Sequence, residues 1–136
     1  MSELNSIVLK ILSNGKGILA ADESTATMTK RLESVNVKST PESRLSFRQT
    51  LFSSSNMSKC IGGVILYDET IKQKISNNGN IPDLIKSANS VPGIKVDTGA
   101  KVLAGSTNEK ITEGLDGLRE RLKEYYKLGA RFTKWR

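Results

Sequence analysis

Residues 17–24 read G-I-L-A-A-D-E-S, a short apolar run that stops at two acids. Such a run followed by charge is typical of a buried strand that ends at the edge of a sheet. Similar runs recur at 63–69 (G-V-I-L-Y-D-E), 93–97 (G-I-K-V-D) and 130–136 (A-R-F-T-K-W-R). Helical patterns lie between them, which predicts four parallel strands near 17–22, 63–68, 93–97 and 130–136. Charge near the strand ends indicates an α/β fold, a (β/α)8 TIM barrel with its chemistry at one rim.

The segments around the strands carry helix and loop signals. An apolar stripe predicts a helix over 2–14, before the first strand, with Ser2 as its N-cap and Gly15 at its end. Thr40 followed by Pro41 marks the start of another helix that runs to about Phe52. Further helices are expected at 25–35, from Thr70, from Pro82 and at 115–128, with a turn at 77–80 and a long loop at 98–113.

Composition narrows the function classes. The chain has 136 residues with 37% hydrophobic and 26% charged residues, which suits a globular protein. No apolar run approaches the roughly 18 residues of a membrane helix, and the N-terminus lacks a signal-peptide pattern, so we expect a cytoplasmic location and no membrane partner. The net charge is +7, but only 5% of residues are aromatic, which disfavours a stacking platform for nucleic acid.

Two residue types limit the chemistry. The one cysteine, Cys60, cannot form an internal disulfide, and beside Ile61 it is expected to be a buried structural thiol. Histidine is absent, so a zinc site is not expected. Any catalysis on this chain must use Lys, Asp, Glu, Tyr or Arg.

Charged residues in the strands share faces. Lys95 and Asp97 are two residues apart on the third strand, and Lys134 and Arg136 are two apart on the fourth. Asp22 reaches the same rim from the first strand. An acid between two lysines, with arginines nearby, suits a phosphorylated sugar, because lysines and arginines neutralise phosphate. The same residues could instead form a structural ion-pair network inside the barrel.

The number of strands is too small for a closed barrel. Eight strands and roughly 250 residues are needed, whereas the fourth strand ends on the last residue of the chain. A parallel strand is normally covered on both faces. We therefore expect the chain to be the N-terminal part, residues 1–136, of a single barrel domain in a longer protein.

Several motifs together resemble the N-terminal part of class I fructose-bisphosphate aldolase. They are G-K-G-I-L-A-A-D-E-S, K-R-L, G-G-V-I-L-Y-D-E-T, P-G-I-K-V-D, G-L-D-G-L and G-A-R-F-T-K-W-R, in this order between residues 15 and 136. The resemblance implies a metal-independent, cofactor-free lyase of glycolysis. In that family a lysine forms a Schiff base with the substrate ketone, and fructose 1,6-bisphosphate yields dihydroxyacetone phosphate and glyceraldehyde 3-phosphate.

The resemblance also implies roles for individual residues. Asp22 would orient the substrate hydroxyls and assist C–C cleavage, Lys134 would stabilise charge beside the Schiff base, and Lys95 would hydrogen-bond Asp22 and substrate. Other matching residues would hold the phosphates or shape their pockets: Ser24, Thr27, Arg31, Arg44 and Arg136. Glu23 matches the motif with either a functional or a purely structural role.

Some features depart from the family pattern. Thr27 stands where many members have serine, and Thr98 replaces a common lysine. The Schiff-base lysine and the acid/base glutamate of the family would lie beyond Arg136, so this chain alone is expected to be inactive. A homotetramer is implied by the resemblance only.

An alternative function is a non-catalytic binding module for acidic or cytoskeletal partners. Its surface would be the basic segment 119–136, in which only Glu120 and Glu124 offset the bases. A closer alternative is an aldolase that prefers fructose 1-phosphate or sedoheptulose 1,7-bisphosphate.

Overall fold

A computed structural model describes residues 2–76 and 79–136. Its strands are β1 (Gly17–Ala21), β2 (Ile61–Leu66), β3 (Val91–Lys95), β4 (Gly99–Val102), β5 (Lys110–Glu113) and β6 (Phe132–Lys134). The main sheet has four parallel strands in the order β1-β2-β3-β6, and β4 and β5 form a separate hairpin. β2 and β3 each begin two residues earlier than predicted, and β6 is shorter than predicted.

Seven α-helices connect or flank these strands in the part of the chain that is described, and a 3-10 helix at Ser13–Gly15 follows the first of them. They are α1 (Glu3–Leu12), α2 (Thr25–Glu33), α3 (Pro41–Phe52), α4 (Met57–Cys60), α5 (Asp68–Lys72), α6 (Ile81–Ser87) and α7 (Leu118–Leu128). Local signals fix several ends: the side chains of Ser2, Ser24 and Thr40 accept hydrogen bonds from backbone N–H groups as N-caps. Gly129, with φ 111°, ends α7. None of the helices in 2–76 and 79–136 is long and apolar enough to cross a membrane.

The core lies between the outer face of the sheet and the helices. Val64, Leu66 and Ile94 are fully buried and belong to one cluster with Phe52 of α3 and Tyr125 of α7. The alternation of side chains along a strand leaves the next residues on the opposite, inner face. There Gly93 makes room for the ring of Phe132, since a Cβ at this glycine would lie 2.6 Å from the ring atom Cε2.

The sheet curves strongly. β1 and β6 are its two edges and are separated by three strand-to-strand steps, about 14 Å in a flat sheet. Nevertheless Lys134 Nζ at the end of β6 lies 2.7 Å from Asp22 Oδ2, just after β1. Two side chains meet over this distance because the sheet bends around its inner face, as the first strands of a barrel do.

The structure corrects three predictions. Residues 98–113 are not a plain loop, because β4 and β5 form an antiparallel hairpin in which β-branched residues such as Val102 and Ile111 favour strand over coil. The last helix begins at Leu118 instead of 115, since Gly114 and Gly117 adopt positive φ. Cys60 is exposed because it ends α4, whose buried position is taken by Met57.

Two further helix predictions differ in their bounds. α5 begins two residues before Thr70, and α6 begins one residue before Pro82. The turn predicted at 77–80 falls partly on residues 77 and 78, which lie outside the described residues.

Candidate functional site

The site begins with an ion pair on the inner face of the curved sheet. Asp22 directly follows β1, and its carboxylate accepts a hydrogen bond from the ammonium of Lys134. The Asp22 side chain is 8% exposed and that of Lys134 is 36% exposed. The carboxylate is therefore nearly enclosed, while the lysine opens to solvent on one side. A charged donor next to a buried carboxylate gives a strong hydrogen bond that orients both groups.

A second carboxylate–lysine pair lies at the end of β3. Lys95 Nζ donates to Asp97 Oδ1 and, at 2.8 Å, to the carbonyl oxygen of the same residue. Asp97 also accepts the N–H of Gly99 at 3.0 Å and the N–H of Arg136 at 3.2 Å. Burial acts to raise the pKa of Asp97, but Lys95 and the two N–H groups outweigh it and hold the pKa below its usual value. Asp97 is therefore ionised at neutral pH.

The hydrogen-bond partner of Lys95 differs from the predicted one. Lys95 was expected to hydrogen-bond Asp22, but it pairs with Asp97, and Lys134 takes Asp22 instead. Residues 95 and 97 lie on one face of the same segment, so Lys95 reaches Asp97 directly. The curvature of the sheet brings Lys134, on the opposite edge strand, to Asp22. The sequence already placed Lys95 and Asp97 on one face, yet Asp97 was missing from the candidate site.

The turn from β1 into α2 brings hydroxyl groups and an arginine together. Ser24 Oγ lies 3.1 Å from Thr27 Oγ1 and accepts the N–H of Thr27 at 3.3 Å. Both residues are at the N-terminus of α2, where free N–H groups and the helix dipole favour anions. Arg31, on the next turn, is bound to Glu23 and stays largely exposed. Glu23 acts here as an ion-pair partner.

A fully buried arginine supports this turn from below. Arg48 of α3 donates to the carbonyl oxygen of Glu23 at 2.6 Å and to Thr70 Oγ1 at 2.8 Å. It thereby joins the turn after β1 to helix α5, which follows β2. Burial lowers the pKa of Arg48, and the nearby Glu23 and Glu69 carboxylates oppose that shift. Arg48 was not among the candidate residues. The available signal was its spacing of four residues from Arg44 in α3, which places both arginines on one helix face.

Arg44 has a different environment from the one predicted. Its guanidinium forms a two-pronged pair with Glu69, with N–O distances of 2.9 and 2.5 Å, and donates to Ser39 Oγ at 3.0 Å. The guanidinium N–H groups that could bind a phosphate are thus already paired with the Glu69 carboxylate. The hydrogen bond from Arg44 holds the pKa of Glu69 below its usual value in spite of burial. Arg44 serves as a structural ion pair in this arrangement.

Arg136 lies just after β6. Its backbone N–H is fixed by Asp97, while its side chain is exposed. Within 2–76 and 79–136, no hydrogen bond or ion pair of its guanidinium is found, and no group of three or more potential metal ligands occurs. The inner face and its rim thus combine two carboxylate–lysine pairs, paired hydroxyls and an open guanidinium, which suit proton exchange beside a bound phosphate.

The basic segment 119–136 is only partly a free surface. Arg121 donates to the carbonyl oxygens of Val96, at 2.8 Å, and of Gly114, so it fastens the hairpin base to α7. Arg131 donates to two backbone carbonyls and stacks 3.9 Å above the centroid of the Tyr126 ring. The exposed bases on α7 are Arg119, Lys123 and Lys127.

Comparisons with known proteins agree with this geometry. The family model described as fructose-bisphosphate aldolase class-I matches residues 3–136. Cytosolic fructose-bisphosphate aldolase 6 of Arabidopsis thaliana is 52% identical over 122 residues, which cover 90% of this chain and 34% of the relative. A fructose-bisphosphate aldolase of Schistosoma mansoni is 49% identical and covers 99% of this chain and 38% of its own length.

A solved structure is also similar. Fructose-bisphosphate aldolase from Plasmodium falciparum, crystallised with TRAP and a small-molecule inhibitor, superimposes with a TM-score of 0.94 at 48% identity. The match covers 98% of this chain and 39% of that one. The chain thus spans between a third and two fifths of the length of these three proteins, and the parallel sheet corresponds to the first strands of their TIM barrel. The resemblance seen in the sequence is confirmed, and the chain belongs to the class I fructose-bisphosphate aldolase family.

Proposed function

We propose that the protein containing this chain is a glycolytic aldolase that cleaves fructose 1,6-bisphosphate reversibly through a Schiff base. The products are dihydroxyacetone phosphate and glyceraldehyde 3-phosphate. Residues 1–136 supply the N-terminal part of its single barrel domain. The Schiff-base lysine is not among these residues, so the chain alone does not turn over substrate.

One observation carries this proposal: the Asp22–Lys134 pair, formed across the sheet on its inner face. The buried carboxylate is oriented by a lysine that stays open on one side, so a substrate hydroxyl can approach both groups. Asp22 orients the hydroxyls and assists cleavage of the C3–C4 bond. Lys134 stabilises charge while the ketone condenses with the neighbouring Schiff-base lysine, and Lys95 contacts the substrate from β3.

The phosphate-binding part of the proposal concerns the rim. Ser24 and Thr27 offer hydroxyls at the N-terminus of α2, and Arg31 and Arg136 offer guanidinium groups. Arg44 contributes only if its pair with Glu69 opens. We further propose that the whole protein acts in the cytoplasm as a homotetramer, without metal, cofactor, nucleic acid or membrane.

A chimera tests the catalytic proposal. In it, this chain replaces the matching N-terminal part of the Plasmodium falciparum aldolase, and cleavage of fructose 1,6-bisphosphate is measured. We expect activity, and we expect Asp22→Asn and Lys134→Met each to lower kcat/KM by about 100-fold or more, the contribution of a positioned acid–base group. Lys123→Met is the matched control and keeps full activity. A folded chimera without activity, or an Asp22→Asn variant as active as its parent, would contradict the proposal.

The same chimera separates catalysis from the binding-module alternative. The observation in favour of that alternative is the exposed pair Lys123 and Lys127 on α7. Charge reversal at both positions leaves cleavage intact, and it abolishes binding to an acidic filament such as polymerised actin only if the alternative is correct. Arg121 is unsuitable for this test because it holds the hairpin base.

A further inference from the structure

Asp97 occupies a junction of three chain segments. Its side chain is fully buried, two residues beyond the end of β3. Oδ1 accepts Lys95 Nζ and the N–H of Gly99, and Oδ2 accepts the N–H of Arg136. One carboxylate therefore connects β3, the start of the β4–β5 hairpin and the residue that follows β6.

Two of these three donors belong to residues that the proposed function uses. Lys95 is directed toward Asp97, and the Asp22–Lys134 pair forms separately. The position of the Lys95 ammonium is thus set by residue 97. The main chain of Arg136 is held by the other oxygen of the same group, which places the start of its exposed side chain.

We propose that Asp97 is a positioning residue: it fixes Lys95 Nζ and the main chain of Arg136 at the separation in which the phosphorylated substrate is received. This rests on the proposed function. This positioning role requires a carboxylate at residue 97. Three donors converge on the two side-chain oxygens, and the NH2 group of an amide would face at least one of those donors. Asparagine at this position therefore fits the available volume but not the hydrogen-bond pattern.

A purely structural alternative is that Asp97 only anchors the hairpin. The base of the hairpin is also held by other hydrogen bonds. Thr98 N–H donates to Glu113 O at 2.8 Å, and the Arg121 guanidinium donates to the carbonyl oxygens of Val96 and Gly114. If anchoring were the whole role, loss of the carboxylate would loosen the hairpin without releasing Lys95 in particular. The two roles therefore predict different behaviour of one lysine.

Residue-by-residue lysine acylation of the chimera measures this. The chimera is treated briefly with acetic anhydride at neutral pH, and the modified fraction of Lys95 is compared with that of Lys134 by peptide mass spectrometry. Lys134 is an internal reference because its partner Asp22 is unchanged. In Asp97→Asn we expect the Lys95:Lys134 ratio to rise about tenfold, as for loss of one charge-assisted hydrogen bond. Asp116→Asn is the control, since it removes an exposed acid of the same type.

The outcomes are separable. A ratio that stays within about twofold of wild type, the scatter of context effects, in a folded Asp97→Asn chimera overturns the proposal. If that variant does not fold, Asp97→Glu decides by hydrogen exchange. Its carboxylate is displaced by one methylene, so the Arg136 amide should exchange about tenfold faster while β2 amides are unchanged. Equal exchange of the Arg136 amide in Asp97→Glu and wild type overturns the proposal.

The chimera adds a functional readout. In Asp97→Asn we expect KM for fructose 1,6-bisphosphate to rise about tenfold with a smaller change in kcat, because substrate reception is disturbed more than the Asp22–Lys134 pair. An unchanged KM contradicts the positioning role. If the parent chimera does not cleave the sugar, the proposed function fails, while the acylation ratio still reports on Asp97 and Lys95.

Discussion

The pair formed by Asp22 and Lys134 should show unequal costs when its two members are removed singly. Lys134→Met leaves a carboxylate that is 8% exposed without its cation. Stranding a fully buried charge costs about 3–5 kcal/mol, and the open side of this pair admits water, so we expect about 2–3 kcal/mol. Asp22→Asn leaves an ammonium that is 36% exposed and can be hydrated, so we expect about 1 kcal/mol.

The double variant Asp22→Asn/Lys134→Met completes the thermodynamic cycle. Neither charge remains, so its cost should be smaller than the sum of the two single costs by about 1 kcal/mol or more. The assay is urea unfolding of the 136-residue chain at pH 7, with equal m-values required for all four proteins. Lys123→Met, which removes an exposed ammonium, is the control. The reasoning is refuted if Asp22→Asn costs more than Lys134→Met, or if the costs add within about 0.3 kcal/mol.

Three other outcomes are expected. Because its arginine partner lowers the folded-state pKa of Glu69, this carboxylate stabilises the fold above its unfolded pKa and loses that contribution as pH falls through the folded value. Glu69→Gln should therefore cost about 1 kcal/mol in urea unfolding at pH 7 and less at pH 3; an equal cost at both pH values would count against the pair. Gly93→Ala should cost about 1–3 kcal/mol by the same assay, because its methyl group meets the Phe132 ring, and an unchanged midpoint would show that the ring is free to move. Arg121→Met should accelerate amide exchange in the β4–β5 hairpin and cost about 2 kcal/mol, against less than about 0.5 for Lys123→Met; equal effects would mean that Arg121 is an ordinary surface base.

The parts of the fold that depend on local sequence could be predicted. Apolar runs that end in charge identified the four parallel strands, and Thr40 with Pro41 marked the start of α3. The convergence of Asp22 and Lys134 could also be expected, because the carboxyl ends of parallel strands meet at one rim. These features are determined by neighbouring residues in the sequence or by the strand topology.

The features that were missed depend on tertiary geometry. Which lysine reaches Asp22 depends on how strongly the sheet curves, and the sequence contains no direct measure of that curvature. The guanidinium of Arg121 donates to the carbonyl oxygens of Val96, 25 residues away, and of Gly114, so one of its two partners is distant in sequence. The glycine and serine content of 98–113 indicated a loop, whereas the pairing of Val102 with Lys110 makes it a hairpin.

The buried arginines illustrate the same limit. Arg44 and Arg48 share one helix face. For each of them, this spacing is compatible either with a phosphate contact or with an internal ion pair. Only the positions of Glu69 and of the Glu23 carbonyl decide between these possibilities. A basic residue in a family of phosphosugar enzymes is therefore not by itself a phosphate ligand.

Covalent trapping with dihydroxyacetone phosphate and borohydride tests the central claim most directly. The claim is that this chain contributes the Asp22–Lys134 side of an aldolase site whose Schiff-base lysine is supplied by the rest of the barrel. Intact mass spectrometry should show one adduct on the chimera, a reduced yield in its Lys134→Met variant, and none on the 136-residue chain alone. A stoichiometric adduct on the chain alone, or no adduct on a folded chimera, would contradict the account.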